Sequence, residues 1–398
     1  MGFIDSKRNS LPPWSQLPAE ILELIALRLA TVTDHLRFRS VCSSWRSASI
    51  LASPRRFPSQ LPWLLLPHNP NTATVSFFSL STRAVHSVHL PAADGKWFCG
   101  SSHGWLLMLD RSPTASLLNP ITKTQIPLPP ITTLPHIRAF ESAKRGMEYI
   151  VYKDGRISVA SSEHVRYNTI RKAILSSDPA TDPNTVVLAI LHGFPPNLAF
   201  CRIGDGSWSL LDLPPSLGTI GDVTYFNGNF YAFGLEGRFA ICDLGTKREA
   251  KLIPSLEIHD GDKNHLVGSS TGEQFLLIAH DYLGGYEPCE GNITERFNAF
   301  RLDLGAKKGA EVKSLGDGML FVGRNDNFIL PARDFSGRKG DCIYFVDDYF
   351  LDEEGFWGSN CVGIYHLDDG QIEWLGYNLD VCPLLHCSRA MWFMPSLG

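Results

Sequence analysis

The stretch Val223-Thr224-Tyr225-Phe226-Asn227-Gly228-Asn229-Phe230-Tyr231-Ala232-Phe233 sets Asn227-Gly228 between two apolar runs rich in aromatic and β-branched residues. Asn-Gly tolerates the positive φ that both central positions of a type I′ turn require, so the stretch reads as a tight β-hairpin. The arrangement recurs on either side. Asp154-Gly155 separates Tyr149-Ile150-Val151-Tyr152 from Ile157-Ser158-Val159, Asp205-Gly206 and Asp369-Gly370 repeat the dipeptide, and Leu235-Glu236-Gly237 precedes Phe239-Ala240-Ile241-Cys242. Only His164 to Leu175 suits a strand or a helix equally, since Ile170, Ile174 and Leu175 also fit one helix face.

Many short strands without alternating long helices leave a sandwich, a barrel or a propeller. The chain has 398 residues, and the strand-rich part exceeds what one sandwich needs. About 40–50 residues per four-stranded blade points to a β-propeller of about six or seven blades. A faint internal echo supports repetition: Gly100-Ser101-Ser102-His103-Gly104 and Gly268-Ser269-Ser270-Thr271-Gly272 each precede an apolar run.

The chain changes character near residue 55. Between Trp14 and Ser49 it reads as helix: Leu17 precedes Pro18, which suits a first helical position, and Ile21, Leu24, Ile25, Arg28 and Leu29 follow amphipathic spacing. Thr33 and Asp34 are capping residue types that open further helical turns carrying Leu36, Val41, Cys42 and Trp45. So short a segment cannot bury a self-sufficient core, which marks it as a docking module.

The run Leu17-Pro18-Ala19-Glu20-Ile21-Leu22, then Leu29, Asp34, Leu36-Arg37-Phe38-Arg39-Ser40-Val41-Cys42 and Ser44-Trp45-Arg46 resembles the F-box, departing at His35 where that family carries a second aliphatic residue. The resemblance implies a three-helix domain over residues 14–50 that docks the Skp adaptor and, through it, a cullin. It also implies that Leu17, Pro18, Ile21, Leu22, Leu29, Leu36, Val41, Cys42 and Trp45 make the apolar contacts. Residues 1–13 are then a flexible N-terminus and 51–66 a linker. From residue 67 to 398, the stretches Gly100 to Leu107, Leu117-Leu118-Asn119-Pro120, Ile126-Pro127-Leu128-Pro129-Pro130, Asp222 to Gly228 and Gly340-Asp341-Cys342-Ile343-Tyr344-Phe345 resemble the KIB-type β-propeller of plant F-box proteins. Together the two resemblances imply a substrate-recognition subunit of an SCF-type cullin-RING ubiquitin ligase, whose propeller holds a protein substrate and which carries no catalytic residue. The alternative is a scaffold or blocker of a partner such as a kinase, acting through the propeller without the ligase.

Composition narrows the remaining chemistry. The net charge of −5 hides an asymmetry: residues 1–56 carry eight basic and four acidic side chains, and residues 341–398 carry ten acidic side chains and Arg389 alone as basic. No basic stripe spans the chain, so a nucleic-acid partner is not expected. No apolar stretch approaches the roughly 20 residues of a membrane span, and the first residues lack the apolar core of a secretory signal. A cytoplasmic or nuclear location follows, with no stable membrane association, although Met1-Gly2 and Ser6 fit a loose myristoylation pattern. Nine cysteines without a C-x-x-C pair read as small buried apolar groups, Cys382, His386 and Cys387 do not complete a zinc site, and Asn292-Ile293-Thr294 is a sequon without secretion. No cofactor or metal is expected. G-x-S-x-G would nominate Ser102 or Ser270 as a nucleophile, yet each match runs into a strand where a nucleophile elbow needs a helix. The carboxylate runs near the C-terminal end lack the central glycine of a calcium loop, and the aromatics Tyr349, Phe350, Phe356 and Trp357 beside them are candidates for a substrate-binding patch.

Overall fold

Asn227 and Gly228 take φ of 45° and 82°, both in the left-handed region, and close a hairpin in which Phe226 faces Asn229 and Tyr225 faces Phe230. His103 and Gly104 make the same turn at 51° and 81°. The computed structural model describes residues 14–29, 32–51, 61–153, 155–192, 197–258, 261–283, 293–346, 350–351, 356–357, 362–375 and 388–396. The chain divides into two units, Met1–Gln60 and Leu61–Gly398.

The second unit is a ring of six blades among the described residues. Blade one joins Trp63–Leu65, Thr74–Ser79 and Ala84–His89 to a strand from the far end of the chain, Met391–Phe393, which pairs antiparallel with Trp63–Leu65 as its innermost member. Blade two is Trp97–Ser102, Trp105–Leu109, Ala115–Leu118 and Gln125–Leu128; blade three is Ile170–Leu175, Val186–Leu191, Leu198–Arg202 and Ser209–Leu210. Blade four runs from Ile220–Phe226 outward to Glu249–Glu257, and blade five from Lys263–Gly268 outward to Lys308–Val312. In each of these four the first strand lies innermost. Blade six is wired differently. Gly318–Val322 turns back into Phe328–Pro331, which becomes the inner strand, and the chain then crosses to lay Cys342–Val346 parallel to Gly318–Val322, followed by Val362–His366 and Ile372–Trp374. Between blades two and three sits an insertion, a three-stranded sheet of Ile137–Phe140, Tyr149–Lys153 and Arg156–Ala160, followed by a short helix.

Burial explains why no blade shows clean polar/apolar alternation. Successive residues of a strand point to opposite faces, and here both faces are covered by a neighbouring blade. In blade two Leu106 and Met108 pack with Trp63, Phe77 and Phe393 of blade one, whereas Trp105, Leu107 and Leu109 pack with Ala173, Leu175 and Val187 of blade three. Four further apolar clusters join blades three to four, four to five, five to six and six to one, so the core is a closed circle of inter-blade layers. Close approach is built in at Gly100, where a Cβ would stand 2.4 Å from the Ala173 carbonyl oxygen of the next blade.

The structure departs from the sequence reading at several points. Trp63–Leu65 belongs to blade one, so the segment expected to link the domains is shorter; Leu64 and Leu65 are fully buried. Asp205-Gly206 does not form a type I′ turn, since the positive φ falls at Gly204 and Asp205 caps the Arg202 amide with its carboxylate at 2.8 Å. Asp369-Gly370 ends a longer loop, in which only Gly370 has positive φ. The ambiguous stretch resolves into both elements: Ser162–Asn168 is helical, with Ser161 accepting from the His164 amide at 3.1 Å, and Ile170–Leu175 is the inner strand of blade three. Residues 1–13, including the myristoylation pattern, lie outside the described residues.

The first unit holds three helices, α1 (Ala19–Ala26), α2 (Val32–Ser40) and α3 (Ser43–Leu51), preceded by a 3-10 turn at Trp14–Gln16. Pro18 stands just ahead of α1 and not at its first position, its carbonyl accepting from the Ile21 and Leu22 amides at 3.1 Å. Leu22, Ala26, Phe38 and Ala48 form a small core, and Leu17, Ile25, Leu29 and Trp45 pack against its rim.

Candidate functional site

The α1 helix is apolar on two faces, and only one has an internal partner. Of the amphipathic series Ile21, Leu24, Ile25, Arg28 and Leu29, Ile25 and Leu29 pack against the core with Leu22 and Ala26, whereas Ile21 and Leu24 are 44% and 54% exposed. Trp14, Leu27 and Val41 are likewise exposed, the last at 52%. Five large apolar side chains of so small a unit face water, and three of them, Ile21, Leu24 and Leu27, follow at three-residue spacing along α1 and its C-cap.

Of the nine contacts expected in this unit, Pro18, Ile21 and Val41 are exposed, and Leu17, Leu29, Cys42 and Trp45 are half-buried. Leu22 is 1% exposed and belongs to the core, so it supports the surface from below and does not form it. Leu36 lies in α2, its side chain outside the described residues. Trp45 packs tilted against Phe38 at 4.5 Å between ring centroids and donates its Nε1 hydrogen to the Trp14 carbonyl at 2.9 Å, which fixes the 3-10 turn against α3. Trp14, Leu24 and Leu27 were missed as candidates; the signal for Leu24 was its place three residues after Ile21, which sets the two on one helix face.

In the propeller, the two G-x-S-x-G matches join the first and second strands of blades two and five. Neither serine is followed by a helix. The Ser102 hydroxyl donates to Asp326 at 2.8 Å and accepts from the Leu175 amide at 3.2 Å, while Ser270 sits in a turn closed by Ser269, whose Oγ accepts from the Glu273 and Gln274 amides. Ser102 instead belongs to a polar hub at the centre of the ring. The turn that leads into the inner strand of blade six carries Asn325, Asp326 and Asn327. Asn325 accepts from the Trp392 amide of blade one at 3.1 Å, and the Asp326 amide donates to the Ser101 carbonyl of blade two at 3.0 Å. Asn327 Nδ2 donates to Asp222 of blade four at 2.8 Å and to the Leu266 carbonyl of blade five at 3.0 Å. Asp222 in turn accepts from Lys172 of blade three at 2.5 Å and from the Leu266 amide at 2.9 Å. All six blades meet in this network, and burial holds the Asp326 carboxyl above the usual carboxylate range.

The hub was invisible in the sequence because its members come from six separate strands or turns. Its polar groups are taken up by one another, which leaves a stapled centre in place of the open polar constellation that chemistry in a channel would use. Of the candidate aromatic patch, Phe350, Phe356 and Trp357 lie in a two-stranded ribbon with side chains outside the described residues, as is the whole of Tyr349. The acidic residues 347–348 and 352–354, and Cys382, His386 and Cys387, also lie outside them. Among the described residues no cluster of three metal-ligating side chains occurs, and no helix is long and apolar enough to cross a membrane.

The KIB1-4 beta-propeller model matches residues 77–366 and the F-box domain model residues 14–52. The chain belongs to the KIB1-4 beta-propeller family. Among relatives similar to it are the F-box protein SKIP23 of Arabidopsis thaliana, 27% identical over 90% of each chain, and the putative F-box protein At4g22660 of the same plant, 28% identical over 98% of this chain and 99% of that one. Among solved structures it is similar to the β-propeller domain of Myceliophteria thermophila Cps50 (Swd1), with 13% identity and a TM-score of 0.35 over 77% of this chain and 81% of that chain. This KIB1-4 chain is thus a plant-type F-box protein, of a kind that typically acts as a non-catalytic adaptor.

Proposed function

We propose that this protein is the substrate-recognition subunit of an SCF-type cullin-RING ubiquitin ligase, working in the cytoplasm or nucleus. The three-helix unit docks the Skp adaptor, and the propeller holds the protein to be modified. The observation that carries the reading is the exposed apolar row of Ile21, Leu24 and Leu27 along α1 and its C-cap, with Val41 also exposed just past α2, on a unit whose own core is four side chains. The contribution to ubiquitination is proximity: holding a target beside a charged enzyme raises its effective concentration without any catalytic side chain. The five cysteines among the described residues are unpaired and buried or half-buried, which suits a reducing compartment.

Capture of the purified Skp adaptor by the full chain tests this. Ile21→Asp, Leu24→Asp and Val41→Asp each replace an exposed apolar side chain of this unit by a charge, and each is expected to weaken capture by about 2 kcal/mol or more, roughly thirtyfold. No capture by the wild-type chain, or capture indifferent to all three changes, would leave the propeller acting as a scaffold or blocker without the ligase.

A further inference from the structure

The helical unit runs against the charge of the chain. Residues 1–56 carry eight basic and four acidic side chains in a protein whose net charge is −5. The excess is concentrated where α2 meets α3: from His35 to Leu51 the sequence holds Arg37, Arg39 and Arg46 and no carboxylate. Arg37 and Arg39 occupy the last turn of α2, and Arg46 Nε donates to the Arg39 carbonyl at 3.4 Å, which brings the α3 arginine back to the same corner. Arg37 and Arg46 are exposed and Arg39 is half-buried. Arg37 pairs with Asp34 at 3.5 Å, but the two side chains are 78% and 43% exposed, and a pair so wet is worth little. Arg39 and Arg46 have no ion pair among the described residues.

Between Arg39 and Arg46 the chain also exposes Val41, at 52%. An apolar side chain ringed by cations has the composition of a binding corner with a polar rim. The choice of cation points the same way. The described helical unit has arginine at all four of its cationic positions and no lysine, and arginine, with its planar fork, is the residue that interfaces favour for carboxylates. A cation in the last turn of α2 also favours the helix dipole, but lysine would serve that purpose equally, and the effect acts on folding and not on association. We propose that this corner meets an acidic surface of the docked adaptor, with Val41 as the apolar contact and the arginine rim steering the approach. The inference rests on the receptor reading and adds to it the chemistry of the partner's facing surface. A nucleic acid fits less well, since three cations neutralise few phosphates and Val41 would have no partner.

Rim charges act on the rate of association and its salt dependence more than on dissociation. The probe is the purified Skp adaptor, flowed over the immobilised full chain while both rates are timed at salt from about 25 to about 300 mM. The wild-type association rate is expected to fall about tenfold across that range. Arg37→Glu and Arg39→Glu should each lower it about threefold to tenfold at low salt, with dissociation changed less than about twofold. Arg39→Gln, which removes the charge without reversing it, should fall between wild type and Arg39→Glu, and an unchanged thermal midpoint shows that the helical unit is intact. An association rate indifferent to salt and to these changes would overturn the inference, as would an effect confined to dissociation. So would a short DNA duplex that binds the wild-type chain and not the variants, which would assign the corner to a nucleic acid. Absence of adaptor capture by the wild-type chain at any salt defeats the ligase reading and this inference with it, whereas capture at a salt-independent rate defeats this inference alone.

Discussion

Lys172 and Asp222 are each about 5% exposed or less, and their contact is the one ion pair of the hub. Removing one partner of a buried pair strands a charge, so Lys172→Met is expected to cost about 3–5 kcal/mol in urea unfolding. Asp222 also accepts from the Val223 and Leu266 amides and from Asn327, so Asp222→Ala should cost at least as much, because it orphans four donors at once. At the inner side of blade one, burial pushes the His68 imidazole below its usual value; the ring stacks on Phe98 at 4.7 Å and its Nε2 lies 3.3 Å from the Ala93 carbonyl. A folded-state pKa below the unfolded one means that the unfolded chain binds the extra proton. Stability is therefore complete above about pH 6.5, the unfolded histidine value, and declines as the pH falls below it. The urea midpoint should drop between pH 7 and pH 5, and less steeply in His68→Gln, whose amide does not titrate.

At the scale of the element, α1 separates two roles along one helix. Leu22→Ala should open a cavity and destabilise the helical unit by about 2–5 kcal/mol, whereas Leu24→Asp should change its stability little and remove adaptor capture; circular dichroism beside a pull-down distinguishes them. In the propeller, Gly100→Ala would drive a methyl group against the Ala173 carbonyl and is expected to cost about 1–3 kcal/mol, read as a lowered thermal midpoint. Elements of this kind differed in how far the sequence betrayed them. The Asn227-Gly228 hairpin and the three helices were legible because turn chemistry and helical spacing are local. Trp63–Leu65 was not, since three residues between prolines show no period and their partner lies at 391–393. The inner-strand exchange in blade six was hidden too, because a parallel crossing leaves the order of apolar runs unchanged. The amphipathic series of α1 mixed inward and outward residues for a physical reason: apolar side chains on two sides of the helix leave the hydrophobic spacing without a single face to mark.

For the whole molecule, blade one is the clasp, made from both ends of the propeller sequence. Met391, Trp392 and Phe393 are at most 2% exposed, and burying each is worth about 1.5–3 kcal/mol, together comparable with the roughly 5–15 kcal/mol that holds a domain folded. A chain ending at Ala390 should therefore lose its cooperative thermal transition and elute as aggregate in gel filtration. Trp392 also donates its amide to the hub through Asn325, so the truncation loosens the centre as well as the rim. The same clasp imposes a timetable on the cell. At roughly 5–20 residues per second, about 16–65 s elapse on the ribosome between the synthesis of Leu65 and that of Met391. Throughout that interval the first blade waits with an unfilled inner edge, and each newly made molecule is an open arc that chaperones must shelter until its last strand arrives.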